Sequence, residues 1–231
     1  ADGFDNEPVN KVPDALKLTN RTNIFSSKYY KEGLFEVQDA GSQLISMYLD
    51  VKPGMRVADM CAGSGGKTLH LASIMQNKGK IIAFDTKEEK IKELKQRLAK
   101  SGTDIVETKV IEGTKSTKRY KDSFDRVLID APCSGTGSIR RNPEIKWKMN
   151  TERLNNLKKI QALLLKNYSE LAKSGGLIVY ATCSILPDEN QEQVKNFIEK
   201  SNGRYKFIKE QIILPSKTNF DGYYMAQIIK T

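Results

Sequence analysis

The chain has three cysteines, and each falls where a thiol can act. Cys61, Cys133 and Cys183 follow apolar, strand-length runs at 55–59, 124–130 and 177–182, each within three residues of the run's end. Cysteine is most often a small buried hydrophobe, so a single such thiol would mean little. Three of three imply a common crevice if the strands are neighbours. A zinc site would have to recruit His70, the single histidine, from inside a helical run, and there is no paired Cys-x-x-Cys spacing. Nucleophilic catalysis needs only a thiolate and a group to steer it, and Asp130 ends the run before Cys133. One histidine also argues against a Ser-His-Asp hydrolase. Three cysteines in 231 residues do not make a disulfide scaffold, and they suit a reducing compartment.

The second feature is a glycine loop, Asp59-Met-Cys-Ala-Gly-Ser-Gly-Gly-Lys-Thr, set between a strand and a helix. A phosphate-cradling P-loop needs Gly-x-x-x-x-Gly-Lys-Thr. Gly66-Lys67-Thr68 fits, but Cys61 stands where the first glycine belongs. Asp130 would then imitate the magnesium-holding acid of a nucleotide hydrolase. The dinucleotide pattern Gly-x-Gly-x-x-Gly fails at Thr68. The Asp-x-Gly-x-Gly-x-Gly loop of S-adenosylmethionine-dependent methyltransferases matches at Asp59, Gly63 and Gly65, with Cys61 in the first glycine slot. Asp85, about twenty residues on at the end of the next strand, is placed for two ribose hydroxyls. Loop and acid together favour a nucleoside cofactor.

These residues need a frame, and the hydrophobic pattern supplies one. A helix at 39–49 puts Leu44, Ile45, Tyr48 and Leu49 on one face. Strands follow at 55–59, 80–84, 105–111, 124–130 and 177–182. Between them lie helices at 67–75, around Ile91, Leu94 and Leu98, and at 151–172. The last has Leu154, Leu157, Ile160, Leu164 and Leu171 on its buried side and is capped by Gly175-Gly176. A helix at 188–200 and strand-like runs at 206–214 and 222–230 complete the pattern, the two runs suiting an antiparallel pair. Strand alternating with helix predicts an α/β fold: a doubly wound, mostly parallel sheet with an antiparallel C-terminal strand. Ligands bind such a sheet beyond the carboxyl ends of its strands. Residues 1–25 hold two prolines, Pro8 and Pro13, and little periodicity, and read as a linker or the end of something longer.

The flanks of two cysteines are more specific. Asp130-Ala-Pro-Cys-Ser-Gly-Thr-Gly and Ala181-Thr-Cys-Ser-Ile-Leu-Pro-Asp-Glu-Asn resemble the two cysteine motifs of the Sun/Fmu-type, RsmB-like RNA cytosine-5 methyltransferases. The resemblance runs from about Phe35 onward. It takes in Val37-Gln-Asp-Ala-Gly-Ser-Gln, the Gly-Gly-Lys-Thr loop, Ile139-Arg-Arg-Asn-Pro-Glu-Ile-Lys-Trp and Asp221-Gly-Tyr-Tyr-Met-Ala. It implies a class I, Rossmann-like methyltransferase core at 33–231, with 1–32 a linker or the remnant of an N-terminal RNA-binding region.

By that resemblance Cys183 is the nucleophile and Cys133 assists release, with Asp130 beside both cofactor and base. DNA cytosine-5 methyltransferases attack with the Pro-Cys thiol, which keeps Cys133 as the alternative nucleophile. The resemblance assigns S-adenosylmethionine to Cys61, Ala62, Gly63, Ser64, Gly65, Gly66, Lys67, Asp85 and Asp130. Thr114 stands where an acid near the adenine is usual. Family loops read Cys-Ala-Ala-Pro-Gly-Gly-Lys, so Gly63-Ser64 is a departure. Arg140, Arg141 and Trp147 are expected to meet RNA, by phosphate contact and base stacking; ordinary core packing is the competing reading for Trp147.

Charge agrees with such a partner. Thirty-eight Lys and Arg against 28 Asp and Glu give +10, which favours a polyanion. Part of that excess belongs to a solvated helix face, where Glu88–Lys92 and Glu93–Arg97 have i,i+4 spacing. No apolar run approaches the ~20 residues that span a bilayer, and the first residues lack a signal-peptide layout. The expectation is a cytoplasmic, monomeric enzyme acting on RNA, with ribosomal RNA favoured by family analogy, and no metal. A non-catalytic ribosome-assembly factor on the same fold and a P-loop-like hydrolase are the competing readings.

Overall fold

β-Branched runs alternating with amphipathic helices build a seven-stranded sheet in the computed structural model, which describes residues 3–20, 22–113 and 115–231. A hairpin of β1 (Asn6–Val9) and β2 (Val12–Leu18) comes first, then α1 (Lys28–Lys31) and α2 (Ala40–Tyr48). Next come β3 (Arg56–Met60), α3 (Gly66–Ile74), β4 (Lys80–Asp85), α4 (Glu88–Ser101), β5 (Val106–Val110) and α5 (Lys115–Lys118). After β6 (Phe124–Asp130) come α6 (Ile145–Lys148), α7 (Thr151–Tyr168), β7 (Ala172–Thr182) and α8 (Gln191–Glu199). Then β8 (Tyr205–Ile213), α9 (Pro215–Thr218) and β9 (Tyr223–Lys230) complete the sheet. Its order is β5-β4-β3-β6-β7-β9-β8. Strands β3 to β7 pair in parallel, and β9 runs antiparallel between β7 and β8.

Both faces of the sheet are covered, so its central strands are apolar on both sides. Period-2 alternation sends Ala58, Met60, Phe84, Ile129 and Tyr180 to one face, against Leu165, Tyr168 and Val194. The other face carries Val57, Ile81, Leu128, Val179 and Met225, packed on Ile45, Leu49, Leu71 and Met75. Chain direction across the sheet reverses between β3 and β6, which makes their carboxyl ends the place for a ligand.

Several expectations meet a different outcome. The segment 1–25, expected to be a linker or the end of something longer, carries the β1–β2 hairpin, and Val12 and Ala15 are buried. Its tie to the rest includes Asp14, whose Oδ2 lies 3.3 Å from His70 Nε2 on α3. Short hairpins with little apolar alternation give a weak pattern, so the sequence could not announce this one.

The long helix ends at Tyr168, and Ser169–Leu171 tightens into a 3-10 turn before β7 starts at Ala172. Its buried residues are Gln161, Leu165 and Tyr168, while Ile160 is exposed. The buried stripe begins at a glutamine with its own polar partners, which an apolar pattern cannot register. Gly175-Gly176 does not cap that helix. The glycines lie within β7, in a bulge where the register jumps from Phe124 opposite Ala172 to Arg126 opposite Leu177, and Gly175 takes φ +75°.

Finally, Arg97 does not pair with Glu93. Its guanidinium donates to the Ser64 carbonyl at 2.7 Å and to Glu36 at 3.0 Å, so it braces the glycine loop.

Candidate active site

The glycine loop leaves β3 through Cys61, a non-glycine residue at φ +61°. Gly63 and Gly65 also take the left-handed region, at +56° and +88°, and Gly65 caps α3. The loop is held from below: Ala62 N–H donates to the Phe84 carbonyl at 2.9 Å, and Gly63 N–H to Asp85 Oδ2 at 2.8 Å. Asp85 Oδ1 accepts from Lys87 N–H at 2.9 Å. Asp85 therefore shapes the loop, and each of its oxygens keeps a lone pair for a further donor.

A Cβ added at Gly63 would meet nothing within 4 Å, and one at Gly66 only the end of Gln38 at 3.8 Å. The loop thus presents open backbone, a cradle that side chains would fill. That openness fits a nucleoside cofactor lying on Gly63–Gly66 beside Asp85. Thr114 lies outside the described residues.

Lys67 and Thr68, in the first turn of α3, turn inward. Lys67 Nζ lies 2.7 Å from Asp130 Oδ2 at the end of β6. Burial works against the lysine's charge, but Asp130 outweighs it and raises its pKa. Thr68 Oγ1 donates to Asp59 Oδ2 at 2.6 Å, with both residues fully buried. Burial pushes the Asp59 carboxyl up to about 7 against the Thr68 hydrogen bond, and neighbouring Asp130 adds to the rise. A P-loop threonine must reach a magnesium ion. Thr68 is closed off from solvent and committed to Asp59, which removes the hydrolase reading.

Two of the three thiols converge. Cys133 Sγ and Cys183 Sγ are 3.3 Å apart, as free cysteines. Cys61 instead packs against the core on the α7 face, while Cys183 packs on the opposite one. Cys183 continues the alternation of β7, whereas the left-handed turn at Cys61 breaks that of β3 and leaves its thiol on the same face as Met60, so proximity of strands did not bring all three together. Burial pushes the Cys61 thiol up, and three nearby carboxylates add to this.

The pair is asymmetric. A hydrogen bond from Cys133 lowers the pKa of Cys183; burial and Asp130 oppose this, and Lys67 supports it. The same bond raises Cys133, as does burial. Of the two thiols, Cys183 is the one whose ionisation its surroundings favour. Among the described residues no group of three or more His, Cys, Asp or Glu is arranged to hold a metal.

The two cysteine loops are tied together. Gly137 N–H donates to the Cys183 carbonyl at 2.9 Å, and Gly222 N–H to the Gly137 carbonyl at 2.8 Å. Beneath them Ser134, Thr136, Ser184, Gln161, Glu189 and Asn190 form a buried polar network. The sequence reading assigned none of these, nor Thr68 or Arg97, to the site. Ser134, Thr136, Ser184, Glu189 and Asn190 lay inside the cysteine-motif blocks, but a motif does not say which of its members touch.

Arg140 and Arg141 both reach Asp221, whose side chain is fully buried. Arg141 Nε donates to Asp221 Oδ2 at 2.6 Å. About half of each arginine side chain remains open to solvent. Trp147, on the single turn of α6, is 80% exposed, so core packing is not its role.

This sheet order, with a glycine loop after the first strand of the parallel set and an acid after the second, is the fold of the class I, S-adenosylmethionine-dependent methyltransferases. The family is narrower. A model of the 16S rRNA methyltransferases RsmB/F matches residues 46–229, and the chain belongs to that family. Ribosomal RNA small subunit methyltransferase B of Vibrio vulnificus is 36% identical over 225 residues, 94% of this chain and 52% of the relative. The Klebsiella pneumoniae protein of that name is 34% identical over 225 residues, with the same coverage. The chain therefore spans about half the length of these relatives. Among solved structures, NSun6 from Pyrococcus horikoshii, crystallised with the S-adenosylmethionine analogue SFG, gives a TM-score of 0.82 at 25% identity, covering 94% of this chain and 59% of that one. A methyltransferase homologue from Pyrococcus horikoshii gives 0.85 at 29%, covering 99% and 79%. S-adenosylmethionine is the family's cofactor.

Proposed function

We propose that the chain is the catalytic core of a 16S rRNA methyltransferase that methylates carbon 5 of cytosine, with Cys183 as nucleophile and Cys133 assisting release. The observation that carries this is the 3.3 Å pairing of the two sulfurs beside the Lys67–Asp130 ion pair. The curated relatives are named for ribosomal RNA of the small subunit, the basic excess suits such a partner, and no helix among the described residues is long and apolar enough to cross a membrane. The proposed place of work is the cytoplasm.

Carbon 5 of cytosine is a weak nucleophile in the neutral ring. The Cys183 thiolate adds to carbon 6, breaks the carbon 5–carbon 6 double bond and leaves carbon 5 enamine-like. S-adenosylmethionine supplies an electrophilic methyl group. Gly63–Gly66 and Asp85 hold the cofactor, and Asp130, its charge paired with Lys67, faces cofactor and base. Carbon 5 takes the methyl group and S-adenosylhomocysteine is the leaving group; the carbon-5 proton then passes to water, the double bond re-forms and Cys183 departs as thiolate, with Cys133 beside it to assist. A cytosine stacked in a helix must be unpaired or turned out to reach Cys183. Arg140, Arg141 and Trp147 serve the RNA flanking it.

The test is covalent trapping on denaturing gels with S-adenosylmethionine and 16S rRNA transcript. Cys133→Ala should accumulate an RNA adduct and Cys183→Ala should form none. The reverse pattern would make Cys133 the nucleophile. Cofactor binding without methyl transfer to any RNA would leave a non-catalytic assembly factor.

A further inference from the structure

Glu189 is fully buried, and the mechanism above gives it no task. Its Oε1 accepts from Ser134 N–H at 2.8 Å and from Gln161 Nε2 at 2.9 Å, and its Oε2 accepts from Ser134 Oγ at 2.5 Å. Ser134 is the residue after Cys133. Glu189 belongs to the other cysteine loop, six residues beyond Cys183. Its backbone is fixed there, because Tyr180 OH donates to the Glu189 carbonyl at 2.7 Å. Asn190 beside it accepts from Thr182 Oγ1 at 2.5 Å and donates to the Ser184 carbonyl at 2.9 Å. One end of the tie is thus anchored to β7 and the Cys183 loop, and the other grips the Cys133 loop. Gln161 Nε2 also donates to the Pro132 carbonyl at 2.9 Å, on the other side of Cys133.

Burying a carboxyl is costly unless it is fully partnered. An apolar residue would fill the space more cheaply, so the arrangement supplies geometry rather than stability. The geometry is lopsided. Cys183 continues β7 and keeps the Thr182–Asn190 bond whatever happens at Glu189. The Cys133 loop loses three carboxyl contacts through Ser134 and Gln161 if Glu189 is cut back. We infer that Glu189 is a positioning residue that fixes Cys133 against Cys183 and thereby sets the release of the RNA adduct rather than its formation. This rests on the cysteine roles proposed above.

The experiment places Glu189→Ala, Glu189→Gln and Ser134→Ala beside wild type, Cys133→Ala and Cys183→Ala. Each is incubated with S-adenosylmethionine and 16S rRNA transcript, run on denaturing gels and melted thermally. Glu189→Ala should accumulate the adduct as Cys133→Ala does, and adding Cys183→Ala should abolish it. Product release should fall about a hundredfold, the scale set by misplacing a reacting group by an ångström. Glu189→Gln, which still accepts from Ser134 N–H and can donate to Ser134 Oγ, should restore turnover. Ser134→Ala keeps the backbone bond, changes little volume and should trap adduct to a smaller extent, even if Glu189→Ala does not fold. Folded Glu189→Ala or Ser134→Ala protein that turns over like wild type, or slows with no adduct while Cys133→Ala traps one, would overturn the inference. No adduct from Cys133→Ala would sink the cysteine mechanism and this inference together, a result the control lanes identify.

Discussion

Lys67 and Asp130 form an ion pair of 2.7 Å between the first turn of α3 and the end of β6, across the point where the sheet reverses direction. Lys67 lies close enough to favour the Cys183 thiolate, and Asp130 close enough to oppose it. Lys67→Met removes the favourable charge and leaves the unfavourable one uncompensated. The Cys183 thiol should then titrate at higher pH, because a positive charge that favours its ionised form has gone. The rate of iodoacetamide alkylation against pH, with Cys183 followed by peptide mass, reads this directly. An unchanged profile would mean that Lys67 does not act on the thiol.

Asp59 predicts an unusual pH dependence of stability. Its folded pKa of about 7 lies above the ordinary 3.8, so between these values the folded state holds a proton that the unfolded state has lost. Its contribution is complete below about pH 4 and is lost as pH rises to about 7. Asp59→Asn mimics the protonated form and can still accept from Thr68. Relative to wild type, it should gain on the order of 4 kcal/mol between pH 4 and pH 8. Urea melts of both proteins at each pH would show parallel curves if Asp59 is ionised throughout.

Gly65 should tolerate no side chain. At φ +88° an alanine is strained, and its Cβ would run into Leu94 Cδ1 on α4, a fully buried residue. Gly65→Ala should cost about 1–3 kcal/mol and weaken S-adenosylmethionine binding measured by calorimetry. In the double variant with Leu94→Ala the two stability losses should sum to more than the observed total, because the shortened leucine removes the clash. Simple additivity would show that the close approach of the loop to Leu94 is not what Gly65 serves.

Trp147 offers a clean separation of stacking from charge. Replacing this exposed ring by alanine should leave the melting temperature unchanged. RNA affinity should fall by about 1–3 kcal/mol, the range for a base stacked on an aromatic ring. The dependence of affinity on salt should keep its slope, because no phosphate contact is removed. Filter binding to 16S rRNA transcript across a salt series tests both parts, and a changed slope would contradict stacking.

The parallel sheet was legible because its strands are nearly continuous apolar runs bounded by turns, and because Leu94 and Leu98 mark α4 by periodicity. The positions of Cys133 and Cys183 were legible from the strands they follow. What escaped was polar and long-range. Gln161 breaks the apolar stripe of α7 because its partners come from elsewhere, Pro132 and Glu189. Arg97 has a good helical neighbour in Glu93, yet it reaches the Ser64 carbonyl and Glu36. Cys61 sits at a strand end like the other two cysteines, but its left-handed backbone breaks the alternation of β3 and leaves it on the α7 face with Met60. Local spacing gives the donors and acceptors; only the assembled sheet says which of them meet.

The position of β9 has a bearing on synthesis. Strand β9 is made after β8, yet it lies between β8 and β7, and the turn entering it holds the Cys133 loop through Gly222 and Gly137. A growing chain can pair β3, β4, β5, β6 and β7 as they emerge, while β8 must wait for a neighbour not yet translated. The half of the sheet that carries the glycine loop can therefore form early. The loop bearing Cys133 receives its last backbone anchor late, so the thiol pair matures only after the frame around it.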